Sequence, residues 1–301
     1  MQNDKLVNYL HLHFIVFIWG FTAILGALIS LDAIPLVWYR MGFAVLFIGL
    51  YLIFQKKDLR VNSKTLYKLI IAGTVIAAHW ITFFAAIKVS NVSVALITMS
   101  TGAFFGSLLE PLFFRRRVYK FEVFLGLVVI VALYLIFRED DTSQMNPNYV
   151  LGVIYGLISS FLAAIFSVMN GLLVKEHPPV IISFYELGFG ALAISIFMAF
   201  SGGFEPGLFA LEWMDWIYLL LLASVCTAFA FIMSVQVMKV LSPYTVMLTT
   251  NLEPVYGIIL ALLIFGEKEH MGLRFYIGGA VILGVVICNG ILKNGIGKKR
   301  K

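Results

Sequence analysis

The sequence predicts an all-α integral membrane protein of ten transmembrane helices, built as two inverted five-helix repeats with both termini cytoplasmic. Three observations predict it. Charged residues make up 13% of the 301 and hydrophobic residues 61%, about half the ~25% charge of a soluble chain. Apolar runs of membrane-spanning length recur along the whole chain. Features of the first half return in the second at a nearly constant offset. The first observation alone excludes a soluble enzyme, a nucleic-acid binder and a disordered chain, because 22 Lys and Arg with 16 Asp and Glu cannot supply a charged skin. The net charge of +6 belongs to basic cytoplasmic loops, not to a nucleic-acid surface. Aromatic residues at 15% and 25 glycines fit a lipid-embedded chain.

A helix needs roughly 20 apolar residues, at ~1.5 Å each, to cross a ~30 Å hydrocarbon core. The first such run, 10–30, stops before Asp32, and the second, 34–54, stops at Gln55-Lys56-Lys57. The third, 66–87, ends at Lys88, and the fourth, 92–113, follows Asn91 and ends before Arg115. The fifth, 119–137, closes at Arg138, and the sixth, 149–172, lies between Asn148 and Lys175. The seventh, 179–200, follows Pro178, and the eighth, 214–237, ends before Lys239. The ninth, 244–265, lies between Pro243 and Gly266-Glu267-Lys268, and the tenth, 271–292, ends at Lys293. These runs are too long for strands and lack the alternation of a membrane barrel. The longest polar stretches, Gln55–Thr65, Arg138–Asn148 and Ser201–Asp215, are too short for a soluble domain. The first run is too long for a signal peptide's apolar core and has no small-residue cleavage site after it, so no cleavable leader is expected. Cys226 and Cys288 sit in apolar runs without metal or disulfide spacing and read as core residues.

Orientation follows from positive charge. With the N-terminus cytoplasmic, 17 Lys and Arg fall in inside segments and 4 in outside ones, as the positive-inside rule requires. Asp32, Glu205, Glu212, Glu267 and Glu269 are among the acids left outside.

The internal repeat is read from three matches. Tyr39-Arg40-Met41-Gly42-Phe43 lies over Tyr185-Glu186-Leu187-Gly188-Phe189, 88–98 over 239–249, and 125–130 over 277–282. The order and near-constant offset divide the chain at 1–143 and 144–301. Five spans is an odd number, so the second repeat crosses the membrane in the opposite sense. Many secondary transporters are built this way, with substrate at the midplane between the repeats.

The residues Trp19-Gly20, Asn251-Leu252-Glu253-Pro254-Val255 and Phe265-Gly266-Glu267-Lys268, followed by Gly278-Gly279, resemble the drug/metabolite transporter superfamily, in particular its EamA-like ten-helix branch. The similarity extends over the whole chain. The first half departs from it, with Phe114-Arg115-Arg116-Arg117 where a second Gly-Glu-Arg-type turn often lies. The resemblance implies secondary transport of a small organic metabolite, with amino-acid-like export as the leading expectation. It also implies a multi-pass protein of the plasma membrane, the inner membrane in a bacterium. A homodimer is compatible with it.

Ionisable residues inside a span cost roughly 2.5–3.5 kcal/mol on insertion scales, so each calls for a partner or a water-filled cavity. From the span starts, at ~1.5 Å per residue, Arg40, His79 and Glu253 fall within about 8 Å of one depth. With Trp19, Tyr39, Trp80, Thr250 and Asn251 they form the candidate substrate site. Pro254 is expected to kink the ninth span and expose backbone acceptors beside Thr249, Thr250, Asn251 and Glu253. Glu253 is the candidate coupling carboxylate. Glu186, opposite Arg40 in the repeat, reads equally as a gate or a packing contact. Glu110 is expected as a snorkelling carboxylate paired with Arg115–Arg117. Trp38, Trp213 and Trp216 read as an interfacial belt, and Gly102-x-x-x-Gly106 and Gly152-x-x-x-Gly156 as close-packing motifs.

Nothing in the sequence calls for a cofactor, metal or nucleic-acid partner. It contains no G-x-x-x-x-G-K-[ST], H-E-x-x-H or G-x-S-x-G, and its five histidines show no paired metal spacing. A channel or facilitator stays open as the alternative, an intramembrane enzyme as a weaker one. A channel would carry a filter or a ring of charges, and the scattered single charges here form neither.

Overall fold

The computed structural model describes residues 2–115, 117, 121, 124–125, 127–128, 131–132 and 148–298. All regular structure among the described residues is helical. Eight helical stretches are long and apolar enough to cross a membrane: Lys5–Leu28, Ala33–Phe54, Ser63–Val89, Val92–Phe113, Asn148–Leu173, Pro179–Ser201, Trp213–Val237 and Pro243–Glu269. They coincide with eight of the ten expected spans. The expected fifth span, 119–137, lies mostly outside the described residues. At the tenth, a helix begins at Leu273 with a shorter apolar stretch, Leu273–Val285.

Three of these stretches are not single helices. The chain runs α1 (Gln2–Leu28), α2 (Ala33–Phe54), α3 (Ser63–Val89), α4 (Val92–Met99), α5 (Gly102–Phe113), α6 (Asn148–Leu173) and α7 (Pro179–Ser201). It continues with α8 (Trp213–Ala223), a π-helical turn (Ser224–Phe229), α9 (Ala230–Val237), α10 (Pro243–Thr250), α11 (Glu253–Phe265) and α12 (Leu273–Lys298). The fourth span therefore breaks at Ser100–Thr101 and the ninth at Asn251–Leu252, positions 151 apart in the sequence. At both breaks the ladder tightens to three-residue bonds, Thr101 N to Thr98 O at 3.1 Å and Leu252 N to Thr249 O at 3.0 Å.

Side-chain caps set where the broken spans begin. Asn91 Oδ1 accepts from Val94 N at 2.8 Å, and Ser242 Oγ, again 151 positions on, accepts from Thr245 N at 3.2 Å. Each start is also gripped by a carboxylate from the far end of the other broken span. Glu269 accepts from Val92 N, Ser93 N and Ser93 Oγ at 2.9, 2.9 and 2.8 Å. Glu110 accepts from Tyr244 N at 3.0 Å. Glu110 is thus buried, at 3% exposure, where the sequence suggested a snorkelling side chain. The orphan N–H groups and positive end of a helix start give a buried carboxylate partners in place of water.

The bundle has two ends, one marked by Asp32 and the other by Lys57. At the first, Asp215 accepts from Ser30 N at 2.9 Å and from Ser30 Oγ. At the second, Thr65 Oγ1 meets His177 Nε2 at 2.9 Å. Helices α2 and α7, which carry the Tyr39 and Tyr185 motifs, run antiparallel against each other. Trp38 Nε1 donates to Ser195 Oγ at 2.8 Å near one end, and a Cβ on Gly49 would meet Phe184 Cε2 at 3.3 Å toward the other.

Small residues let the helices meet at backbone distance. A Cβ on Gly73 would lie 2.4 Å from Glu186 O and 3.1 Å from Gly190 N, so α3 and α7 touch main chain to main chain. Gly152 and Gly156 of α6 instead make room for the side chains of Ser90 and Thr98, which a Cβ would approach to 2.4 and 2.8 Å. Such crossings supply packing where lipid removes the hydrophobic drive between helices.

Candidate functional site

A cavity with about 890 Å³ of space between atoms, part of it open to its surroundings, lies at the breaks of the fourth and ninth spans. Its wall carries Trp19, Arg40, His79, Trp80, Thr250, Asn251, Glu253 and Pro254. Seven of the eight residues expected to bind substrate therefore line one cavity, drawn from α1, α2, α3, α10, α11 and the turn between them.

Arg40 is 2% exposed and is held by two devices. Its Nε donates to Thr227 Oγ1 at 2.7 Å, and its Cζ lies 3.8 Å above the Trp80 ring and 5.5 Å from that of Phe84. Thr227 can reach it because the π-helical turn widens α8 locally, with Thr227 Oγ1 donating to Leu222 O five residues back at 2.7 Å. The Nη1 of Arg40 has no hydrogen-bond partner among the described residues. A buried cation placed over an aromatic face with a free N–H is arranged to receive an anion.

His79 is oriented from α6. Its Nδ1 lies 2.9 Å from Ser159 O, and Ser159 Oγ donates to His79 O at 2.9 Å. A carbonyl only accepts, so Nδ1 carries the proton, and in the neutral ring Nε2 is the basic nitrogen. His79 and Glu253 line the same cavity as Arg40.

At Glu253 the structure corrects the expected kink. Pro254 occupies the first turn of α11, where a residue without an N–H forfeits no helical bond. The ninth span is thus interrupted, and Asn251 fills the gap with an Nδ2 that lacks a partner among the described residues. Glu253, 9% exposed, is the first residue of α11, so its carboxylate sits at the positive end of a helix. Thr250 is spent locally, donating to Val246 O at 2.9 Å.

Two expected site residues lie elsewhere. Tyr39 is absent from the cavity wall: its hydroxyl donates to Leu208 O at 3.1 Å, and its ring stacks on Phe43 at 5.7 Å. Glu186 is fully buried against α6, accepting from Asn170 Nδ2 at 3.1 and 3.3 Å. Thr227, Ser159 and Asn170, which hold Arg40, His79 and Glu186, were missed in the sequence. Their signal was an isolated polar residue in an apolar run, and many such residues merely bond their own helix.

The EamA-like transporter family model matches residues 9–138 and again 150–290. An "Uncharacterized transporter" of Archaeoglobus fulgidus is 26% identical over 256 residues, covering 85% of this chain and 86% of its own. A solved structure described as "Crystal structure of protein" superposes with a TM-score of 0.68 at 15% identity, covering 96% of this chain and 98% of that one. That likeness is one of fold. The two matches of the family model together take in most of the sequence, and the chain belongs to the EamA-like transporter family as a multi-pass membrane transporter.

Proposed function

We propose that the protein is an alternating-access carrier that exports a small, amino-acid-like metabolite across the bacterial inner membrane. It would hold ten transmembrane helices in two inverted repeats, 1–143 and 144–301, with both termini cytoplasmic. The observation that carries the reading is the buried Arg40, with its free Nη1, in the same cavity as Glu253. A fixed cation and a carboxylate in one low-dielectric site match the two charges of a zwitterion. The interrupted spans support it as well, since transporters place substrate where helices break near the midplane. The antiparallel run of α2 against α7 supports the inverted repeat.

In this reading Arg40 holds the substrate carboxylate and Glu253 is the coupling carboxylate, taking up a proton on one side and releasing it on the other. Trp19, Trp80 and His79 shape the pocket, Asn251 adds a donor, and Glu186 braces α6 against α7. The substrate gradient or protons supply the energy. Reconstituted protein tests this directly. Saturable uptake that is accelerated by substrate inside the vesicle is expected of a carrier, whereas conductance without such exchange would mean a channel.

A further inference from the structure

Resting on that carrier reading, we infer that the cavity selects α-amino acids with a large apolar side chain over polar, charged and sugar-like metabolites. The wall divides into a compact polar patch and an extended apolar face. At the polar patch, two buried N–H groups, Arg40 Nη1 and Asn251 Nδ2, lack acceptors among the described residues. Two donors in one wall suit a carboxylate. The His79 ring, with its Nδ1 committed to Ser159, and the Glu253 carboxylate supply acceptors for an ammonium group. One anionic and one cationic end are provided for, and no further charged residue among the described ones lines the cavity.

Much of the remaining wall is aromatic and thioether. From the guanidinium, Trp80 lies 3.8 Å away, Phe231 follows at 5.7 Å between ring centroids, and Phe166 at 5.4 Å from Phe231. These rings form a continuous apolar surface leading away from the charge. Met238 and Met247 complete it, and thioether side chains adapt to rings or aliphatic chains of different outline. Most hydroxyls in the wall offer little to a polar side chain, because they already donate to main-chain carbonyls, and Thr22 Oγ1 alone has no partner among the described residues. Ser234 donates to Phe231 O at 2.8 Å, Thr250 to Val246 O at 2.9 Å and Ser167 to Pro243 O at 3.4 Å. A sugar or a polar amino-acid side chain would surrender its water there for at most the Thr22 hydroxyl as a new partner, which costs affinity.

The test uses the full-length protein in liposomes loaded with L-phenylalanine, with labelled L-phenylalanine outside and a panel of competitors. L-leucine, L-methionine and L-tryptophan are expected to compete at similar concentrations. L-alanine should be about 10- to 100-fold weaker, the equivalent of leaving one apolar side chain unburied. L-aspartate, L-lysine and glucose should not compete, nor should phenethylamine, which lacks the carboxylate. A Phe166→Leu variant should lower exchange of phenylalanine relative to leucine, a ratio that partial misfolding does not change. Equal competition by L-serine or L-aspartate would overturn the selectivity and leave the carrier reading standing. Exchange of a solute with no amino-acid head, with none of any amino acid, would overturn the zwitterion site. Conductance without exchange of any solute would instead remove the carrier reading on which the inference rests.

Discussion

Tyr39 and Tyr185, 146 positions apart, make the same bond at opposite ends of the bundle. Tyr39 Oη donates to Leu208 O at 3.1 Å, and Tyr185 Oη donates to Leu59 O at 2.8 Å. Each ring stacks on the phenylalanine four residues on, Phe43 at 5.7 Å and Phe189 at 5.9 Å. Each hydroxyl thus ties its own half to a loop of the other. A carrier that opens at one end at a time must release one such tie while keeping the other. Loss of one hydrogen bond, worth about 1 kcal/mol, shifts a two-state balance roughly fivefold. Tyr39→Phe is expected to favour access from the Asp32 end and Tyr185→Phe from the Lys57 end. Membrane-impermeant thiol labelling of a cysteine placed at Ser234, in a Cys226→Ala, Cys288→Ser background, reads the two effects. Shifts in the same direction would show that the tyrosines are only packing residues.

Arg40→Lys retains charge but gives up the bond from Nε to Thr227 and the flat stacking on Trp80. A lysine ammonium cannot fork onto a carboxylate. Exchange by the folded variant is expected to fall by at least about tenfold, the loss of roughly 1.4 kcal/mol. Wild-type exchange at equal expression would assign Arg40 to structure alone.

Glu253→Gln imitates the permanently protonated side chain with little change of shape. It is expected to abolish accumulation driven by a pH gradient and to weaken, without abolishing, exchange at equal pH on the two sides, because the amide oxygen still accepts from the ammonium group. Both are measured in parallel on the same proteoliposomes. Unchanged gradient-driven uptake would remove Glu253 from coupling, and loss of both with poor folding would mark it as a tie between α11 and its neighbours.

Glu269→Gln keeps an acceptor for the start of α4 but loses the charge that serves Val92 N, Ser93 N and Ser93 Oγ together. Bonds to a charged group are worth about 1.5–3 kcal/mol, so a clear drop in thermal stability in detergent is expected, larger again for Glu269→Ala. An unaltered melting temperature would mean that water replaces the carboxylate without loss.

Gly73→Ala places a methyl group against two main-chain atoms, Glu186 O and Gly190 N, which cannot turn aside. A cost of about 1–3 kcal/mol is expected from overpacking. Gly42→Ala, where nothing among the described residues lies within 4 Å, is the control and should be nearly neutral. Equal behaviour of the two in a thermal melt would refute the tight crossing of α3 and α7.

The eight long apolar stretches and the residues of the site were legible in the sequence for one physical reason. Lipid forbids unpaired charge and uncovered backbone, so long apolar runs must be helices, and the few ionisable groups within them must have partners or a cavity. Arg40, His79 and Glu253 announced themselves in this way, and simple depth counting brought them together. Whether a span is continuous was not legible. Pro254 reads the same in a kink and in the first turn of a new helix, and Ser100–Thr101 carries no proline to mark its break. The partners of the charged groups were hidden too. Thr227 faces Arg40 only because a π turn rotates it there, and Asn170 meets Glu186 only because α6 and α7 pack at that height. Likewise, Glu110 and Glu269 reach helix starts more than a hundred residues away. The sequence alone determined which segments lipid accepts and which polar residues it penalises, since both depend on the chain's own composition. The tertiary structure alone decided which of those residues face the cavity and which are spent on holding helices together, because that depends on the rotation and height of each helix against its neighbours.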